Sequence, residues 1–152
     1  MTVVLPRSTD PRVARLIVFF ETLRPGDVAS LGDHYAEQVD FKDPFNEVHT
    51  LADVQAVFRH MFEALNEPRF VVHDVLLQGD QCMLTWDFVF RFKRFSAEVQ
   101  TVRGASHLRF DAQGKISWHR DYWDAAEELY EKLPVVGGLM RWLKRQARDQ
   151  RV

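Results

Sequence analysis

The hydrophobic period of this chain changes at Pro68, and that change constrains the fold more than any other feature. Before Pro68, apolar residues recur every three or four positions, which is the spacing of one face of a helix. After Pro68, they recur at every second position, which is typical of strands with one buried face. Helices followed by a run of strands predict an α+β fold with an antiparallel sheet.

Start signals place the helices of the first half. Asp10 followed by Pro11 is an N-cap with a first-turn proline, and Thr50 with Asp53 forms a capping box. Apolar residues follow both signals at helical spacing. The predicted elements are helices over residues 10–23, 27–35 and 50–65 and a brief strand over residues 39–41.

The second half predicts four strands and two closing helices. The strands cover residues 69–77, 82–93, 97–111 and 115–123, and the helices cover residues 125–132 and 139–148. Between Leu84 and Phe92 every even position is apolar, so this face should meet the helices. Asp87 belongs by alternation to the other face, which predicts a subunit interface or solvent around it.

Composition limits the architecture and the partners. With 152 residues, of which 46% are hydrophobic, the chain suits one domain over residues 1–152 with one core. That core should span about residues 10–132, followed by a basic amphipathic helix over about residues 137–149. A net charge of −2 provides no general basic field, so nucleic acid is not expected as a partner.

Cysteine use and hydropathy predict a cytoplasmic location. Cys82 is the single cysteine, so no internal disulfide forms and no thiol-based metal site is expected. The N-terminus lacks a signal-peptide pattern, and no apolar run is long enough to cross a membrane. No cofactor motif occurs, so we expect a cofactor-independent protein.

Two stretches carry a family resemblance. The run Tyr35–Phe45, with a helix on either side, resembles the ketosteroid isomerases and the wider nuclear-transport-factor-2-like and SnoaL-like families. The run His119–Asp124 is similar to the end of limonene epoxide hydrolases and SnoaL-like proteins. Together they cover the element order of about residues 10–130. The resemblance implies a cystatin-like roll, in which helices form a cone on a strongly curved mixed or antiparallel sheet. It also implies a cavity for an apolar small molecule and a homodimer formed through the sheet.

Asp43 is the first candidate catalytic residue. In the ketosteroid isomerases, the aspartate of the Asp-Pro-Phe motif moves a proton at a carbon next to a carbonyl, and Asp43 matches it. Burial in an apolar cavity would raise the pKa of such a carboxyl and suit it to this work. The alternative is a structural aspartate that accepts hydrogen bonds from the turn after it.

The oxyanion donors of that reaction are replaced in this chain. In the matching register, Phe19 and Phe58 stand where the family has tyrosines, and Ser106 stands where it has a neutral aspartate. Tyr35 remains from that hydroxyl network. Because such donors supply a large share of the rate, the replacements weaken the case for steroid-type isomerisation.

His119 and Asp121 are the other candidate catalytic residues. Strand alternation puts both on one face with Trp123, and Asp121 matches the water-activating aspartate of limonene epoxide hydrolases. The arginine and acid of those enzymes fall here at Trp86 and Phe88, so a general acid for epoxide opening is missing. A structural ion-pair network around Asp121 is the alternative, and no residue spacing indicates a metal site.

Two functions therefore remain open. In the first, the protein is an isomerase- or cyclase-type enzyme that acts on an apolar carbonyl compound, with Asp43 as the base and His119 or Asp121 as its proton partner. In the second, it is a non-catalytic binding or dimerisation module with the same cavity. The residues expected around the ligand are Phe19, Tyr35, Phe58, Trp86, Phe88, Ser106 and Trp123.

Overall fold

In the computed structural model of the protein, helix α1 runs Pro11–Thr22, within the predicted bounds. It begins there because the Asp10 carboxylate accepts a hydrogen bond from the Arg12 backbone N–H at 2.9 Å. Pro11 suits the first helical position because its nitrogen needs no partner there. The Arg12 guanidinium also donates to the Asp80 carboxylate at 2.5 Å, which ties this helix start to a distant turn.

The structure describes residues 8–93 and 97–129, together with 138, 141 and 145. They fall into a first unit over residues 1–122 and a second over residues 123–152, and each is described by itself. The single domain expected from composition stays a prediction. None of the described helices is long and apolar enough to cross a membrane.

The second predicted helix is a 3₁₀ helix, Pro25–Asp33, and it ends before Tyr35. Three residues per turn bring Val28 and Leu31 onto one face, and both are buried. The prediction that Tyr35 ends this helix was wrong, because Tyr35 starts the first strand instead. Helix α2 runs Leu51–Ala64, as its capping box predicted, and the Thr50 hydroxyl accepts from the Asp53 N–H at 3.2 Å.

The described residues contain six strands, which follow the predicted order with one addition. They are β1 (Tyr35–Lys42), β2 (Glu47–Thr50), β3 (Leu65–Gln78), β4 (Gln81–Phe92), β5 (Gln100–Phe110) and β6 (Ile116–Tyr122). The brief strand predicted over residues 39–41 is the end of the longer β1. Strand β2 was not predicted, because four half-exposed residues carry little periodic signal and their pairing with β1 depends on tertiary contact.

The strands form one mixed sheet in the order β2-β1-β6-β5-β4-β3. Strands β1 and β6 pair in parallel, and the other neighbours pair antiparallel. The α+β class is confirmed, and the sheet is mixed rather than wholly antiparallel. The parallel pair aligns Phe41 with His119, so the last strand lies beside the first.

The apolar face of the sheet meets the helices, as the alternation in β4 predicted. Helix α1 packs on β3, and α2 packs on β1 and β3. Leu84, Trp86 and Phe90 are buried, whereas Phe88 and Phe92 at the same face are half-buried. Asp87 lies on the opposite face, where its carboxylate is 3.1 Å from His73 Nε2.

The second unit begins with a short helix. The Asp124 carboxylate accepts from the Glu127 N–H at 3.1 Å and caps helix α3, Ala125–Glu128. This start agrees with the prediction, and the predicted end at residue 132 lies outside the described residues. Most of the predicted C-terminal helix over residues 137–149 also lies outside them; positions 138, 141 and 145 are helical.

Gly104 in β5 allows the largest side chain of β4 to lie flat on its neighbour strand. Gly104 pairs with Trp86, and the indole covers the glycine Cα. A Cβ atom at this position would lie 2.8 Å from Trp86 Cζ2 and Cζ3, closer than side-chain contacts allow, and closer still to Cη2. Only a residue without a side chain fits here, since the indole is held against the strand.

We expect Gly104→Ala to destabilise the fold by about 1–3 kcal/mol, because the added methyl overpacks the site and displaces the indole. Gly26→Ala is the matched control, since nothing lies within 4 Å of its Cβ position. Urea denaturation of both variants measures the difference. Equal stabilities for the two variants would contradict the close contact at Gly104.

Candidate active site

His119 lies at the centre of the apolar interior, on strand β6. Only 3% of the residue is exposed, although its side chain is polar. Three aromatic rings surround the imidazole: the Phe41 centroid at 4.7 Å, the Phe20 centroid at 5.9 Å and the stacked Tyr35 centroid at 5.9 Å. A polar group in such a place needs hydrogen-bond partners on both ring nitrogens.

Both ring nitrogens have partners. The Tyr35 hydroxyl lies 2.8 Å from Nδ1, and the Asp121 carboxylate oxygen Oδ1 lies 2.7 Å from Nε2. His119 and Asp121 are two residues apart on one strand, so their side chains share a face, as alternation predicted. The structure therefore brings together three residues that the sequence indicated as candidates.

The Asp121 carboxylate extends this series of hydrogen bonds toward β4. Ser106 is paired with Asp121 across β5 and β6, and its hydroxyl donates to Asp121 Oδ1 at 2.5 Å. The Trp86 indole N–H donates to the Ser106 oxygen at 2.8 Å. Five side chains thus form one hydrogen-bonded chain that runs from Tyr35 to Trp86.

The hydrogen bonds of these five side chains lead from both ends to one atom, Asp121 Oδ1. An ionised Asp121 only accepts, so His119 carries its proton on Nε2 and its Nδ1 accepts from the Tyr35 hydroxyl. The Ser106 hydroxyl donates to the carboxylate, because its own oxygen already accepts from Trp86. Two donors therefore end on Asp121 Oδ1, whereas Oδ2 has no hydrogen-bond partner among residues 8–93 and 97–129.

A cavity of about 30 Å³ lies against this carboxylate. Its walls are mostly apolar, and its polar residues belong to the hydrogen-bonded chain. The lining residues are Phe20, Phe58, Phe70, Val72, Leu84, Trp86, Ser106, His119 and Asp121. The His119 and Asp121 side chains are 4% and 16% exposed, so solvent reaches the carboxylate more than the imidazole.

Tyr35 stays a neutral hydrogen-bond donor. Complete burial raises the pKa of its hydroxyl well above the ordinary value of 10.0, and the negative charge of Asp121 raises it further. Ionisation of Tyr35 would remove the proton that His119 Nδ1 accepts. The burial of Tyr35 therefore keeps a proton on the hydroxyl that is available to His119 Nδ1.

The predicted ligand-contacting residues divide into two groups. Phe58, Trp86 and Ser106 line the cavity. Tyr35 contacts the lining residue His119 through a hydrogen bond. Phe88 stacks on the lining residue Phe70, with ring centroids 4.6 Å apart. Trp123 belongs to the second unit, so its predicted contact with a ligand stays a prediction.

Phe19 lies outside the cavity, and its neighbour Phe20 lines it. The Phe19 ring stacks on His34 with centroids 3.9 Å apart. The signal for Phe20 was in the sequence, because Phe20 continues the helical stripe of Leu16 and Ile17, whereas Phe19 is off that stripe. The resemblance pointed to Phe19 by its position in the family motif, which carries no information on the packing of this helix.

Asp43 lies in the turn after β1 and does not line the cavity. Its Oδ1 accepts from the Phe45 N–H at 2.7 Å and from the Asn46 N–H at 2.6 Å. Its Oδ2 accepts from the Asn46 side-chain amide at 3.0 Å. These contacts match the structural alternative, a turn-forming aspartate. The catalytic role of Asp43 stays a prediction.

Three further lining residues were not named as candidates: Phe70, Val72 and Leu84. Each lies on a strand whose alternation was recognised, so the sequence indicated that Leu84 faces the helices. It did not indicate that residues of β3 and β4 border the same space as His119, because that depends on the strand order. Among the described residues, no three metal-binding side chains cluster together.

A family model supports the resemblance. The model of the SnoaL-like domain matches residues 17–119, which is more than half of the chain. No curated protein matches the chain in sequence.

Solved structures extend the match to the fold. A hypothetical protein from Catenulispora acidiphila with a ketosteroid isomerase-like fold, solved with trimethylamine, superposes with a TM-score of 0.68 at 14% identity. The match covers 80% of this chain and 92% of that one. A putative polyketide cyclase from Acidithiobacillus ferrooxidans gives 0.68 at 15% identity, covering 80% of this chain and 94% of the other.

An LEH-like epoxide hydrolase from M. tuberculosis is similar over more of the chain. Its TM-score is 0.64 at 14% identity, and the match covers 91% of this chain and 96% of that one. At such identities the likeness establishes the fold alone.

We expect Tyr35→Phe to lower the free energy of unfolding by about 1–3 kcal/mol at pH 7, because His119 Nδ1 loses its buried partner while the ring volume is kept. Urea denaturation measures this. Tyr122→Phe is the matched control, since the Tyr122 residue is 46% exposed.

The effect of Tyr35→Phe should shrink at alkaline pH. An unfolded tyrosine loses its proton near pH 10, whereas burial raises the pKa of folded Tyr35 well above that value. The folded state then holds a proton that the unfolded state has released, so wild-type stability falls as pH rises above about 10. A stability difference that stayed constant to pH 11 would contradict this assignment.

Proposed function

Because the chain belongs to the SnoaL-like domain family, we propose that it binds a small apolar carbonyl compound and transfers a proton on it, with Asp121 as the base. One observation carries this proposal. Asp121 Oδ1 is held by His119 and Ser106, Oδ2 has no hydrogen-bond partner in the described chain, and the residue lines a mostly apolar cavity. A carboxylate held at one oxygen and free at the other suits general-base work.

The proposed step removes a proton from the carbon next to the carbonyl group. The C–H bond breaks, an O–H bond forms at Asp121 Oδ2, and the electron pair moves into the carbonyl to give an enolate. Return of the proton to the same or another carbon completes an exchange or an isomerisation. His119 acts as a positioning residue, because its Nε2–H orients the carboxylate and Tyr35 holds the imidazole.

Asp121 is a better candidate than Asp43 on its contacts. Both Asp43 oxygens accept hydrogen bonds within their own turn, whereas Asp121 Oδ2 has no partner in the described chain. The register of the parallel pair, in which Lys42 aligns with Arg120, puts Asp43 and Asp121 at the next positions of the two strands. By this register Asp43 lies beside Asp121, but its carboxylate accepts hydrogen bonds from the turn.

The related structures support small-molecule chemistry in this fold. One is a putative polyketide cyclase and another an LEH-like epoxide hydrolase. Function does not follow from fold, so this support concerns the class of ligand and not the reaction. For epoxide opening, the described residues of the cavity lining include neither an arginine nor a second acid, and Trp86 and Leu84 form its β4 side.

The hydrogen-bond donors of the cavity favour a second candidate function, a non-catalytic binding module. Trp86 donates to Ser106, and Ser106 and His119 donate to Asp121, so none of these donors is directed at a ligand oxygen. An enolate would then lack the preorganised donors that efficient isomerases use. The two candidate functions differ in whether the protein transfers a proton on the ligand that it binds.

Proton exchange in D₂O tests the proposal directly. We expect wild type to accelerate deuterium incorporation next to the carbonyl of 2-butanone, followed by NMR, and Asp121→Asn to lower that rate by about 10²–10⁴-fold. Asp43→Asn is the matched control and should retain the exchange.

The alternatives give other results. If Asp43→Asn abolishes exchange while the protein stays folded, Asp43 is the base and Asp121 is structural. If wild type binds the ketone in a thermal-shift assay without accelerating exchange, the binding module is the correct function.

We also propose that the protein forms a homodimer through the outer face of the sheet. Met83 and Tyr122 on this face are 38% and 46% exposed, and the Trp118 indole N–H is buried without a hydrogen-bond partner in the described chain. The Arg109 guanidinium lies 5.2 Å from the Trp118 ring centroid, and that of Arg120 lies 4.7 Å from the Tyr122 centroid. Aromatic residues, methionine and arginine are the residue types enriched at interfaces.

We expect a dimeric mass by light scattering, and we expect Met83→Glu to shift it toward the monomer because a charge would be buried at the interface. Val18→Glu is the control, since Val18 is 62% exposed on helix α1. A monomeric mass for wild type at high concentration would exclude this dimer.

A further inference from the structure

Trp86 closes the cavity on the side of strand β4. Three contacts hold its indole: Gly104 beneath the ring, the hydrogen bond from Nε1 to Ser106 at 2.8 Å, and the Phe70 ring. The Phe70 contact is edge-to-face, with centroids 5.5 Å apart at 88°. A ring fixed on three sides cannot swing away without breaking a buried hydrogen bond.

The volume left by this arrangement is small. The cavity measures about 30 Å³, whereas an engineered cavity that encloses a benzene molecule measures about 150 Å³ and a single water needs about 10–15 Å³. Space for about two water-sized groups therefore lies between the indole and Asp121. A ring system does not fit there while the indole keeps its place.

We infer that Trp86 determines substrate size, and that the group reaching Asp121 is the end of a molecule, an aldehyde or a methyl ketone, rather than a ring carbonyl. This inference rests on the proposed function. Of the nine lining residues in the described part of the chain, only Phe70 and Asp121 are partly exposed. The remainder of the substrate therefore lies on their side, outside the enclosed space.

Gly104 allows the Trp86 indole to occupy this position. Because it lacks a side chain, the indole can lie against the strand and still direct its N–H toward Ser106. Ser106 in turn donates to Asp121 Oδ1. The residue that limits the size of the substrate is thus connected to the residue that takes the proton, through one hydroxyl group.

Two ketones of different size test the inference. The ratio of the deuterium-exchange rates of 2-butanone and 1-tetralone is measured for wild type, with each rate divided by the rate in acetate buffer alone. We expect wild type to favour 2-butanone and Trp86→Ala to shift the ratio toward 1-tetralone by about tenfold or more, the range that pocket contacts of this size provide.

Ser106→Ala is the matched control for the hydrogen bond. It removes both bonds of the hydroxyl and leaves the indole on Gly104, so the rates should fall while the ratio stays that of wild type. Trp86→Leu is the second variant if Trp86→Ala is unfolded in a thermal melt. A ratio that stays that of wild type in the folded Trp86 variant overturns the inference.

Binding separates this inference from the proposed function. The affinities of wild type for the two ketones are read by thermal shift, which does not depend on turnover. Binding of 2-butanone without deuterium exchange would contradict the proposed reaction but not the size limit. Equal binding of 2-butanone and 1-tetralone overturns the size limit, whether or not either ketone exchanges.

Discussion

The parallel pairing of β1 with β6 is the contact on which both the fold and the candidate site depend. It brings Tyr35 and Phe41, from the first half of the chain, beside His119 on the last strand. Without it, a buried imidazole would lack the hydroxyl that satisfies Nδ1, and an unsatisfied buried polar group is costly. The last strand can therefore carry polar residues into the interior because the first strand supplies their partner.

The polar groups of the site form a single connected set, and this has consequences for stability and for chemistry. Each donor from Tyr35 to Trp86 has a defined acceptor, and His119 and Ser106 both act on Asp121 Oδ1. Such networks restrict the positions of all their members, since moving one leaves its neighbour unsatisfied. His119 and Ser106 accordingly hold the free Asp121 oxygen in place through hydrogen bonds to the other oxygen of the same carboxylate.

Local signals in the sequence were reliable where the chemistry is local. Asp10 and Thr50 determine helix starts through hydrogen bonds to residues two and three positions away, so they could be recognised from sequence. The alternation of β4 likewise predicted its buried face. By contrast, the end of the 3₁₀ helix was misplaced, because Tyr35 is drawn into the sheet by its pairing with Ile116, a residue far along the chain.

The sequence by itself determined the α+β class, the order of the long elements and the common face of His119 and Asp121, because these follow from periods of a few residues. Tertiary structure alone decided that Tyr35 and Ser106 supply the hydrogen-bond partners of His119 and Asp121, and that residues of β3 and β4 border the same cavity. It also decided the contact between Trp86 and Gly104 and the size of the enclosed space. These features depend on strand order and side-chain packing between distant segments, which no local pattern of residues encodes.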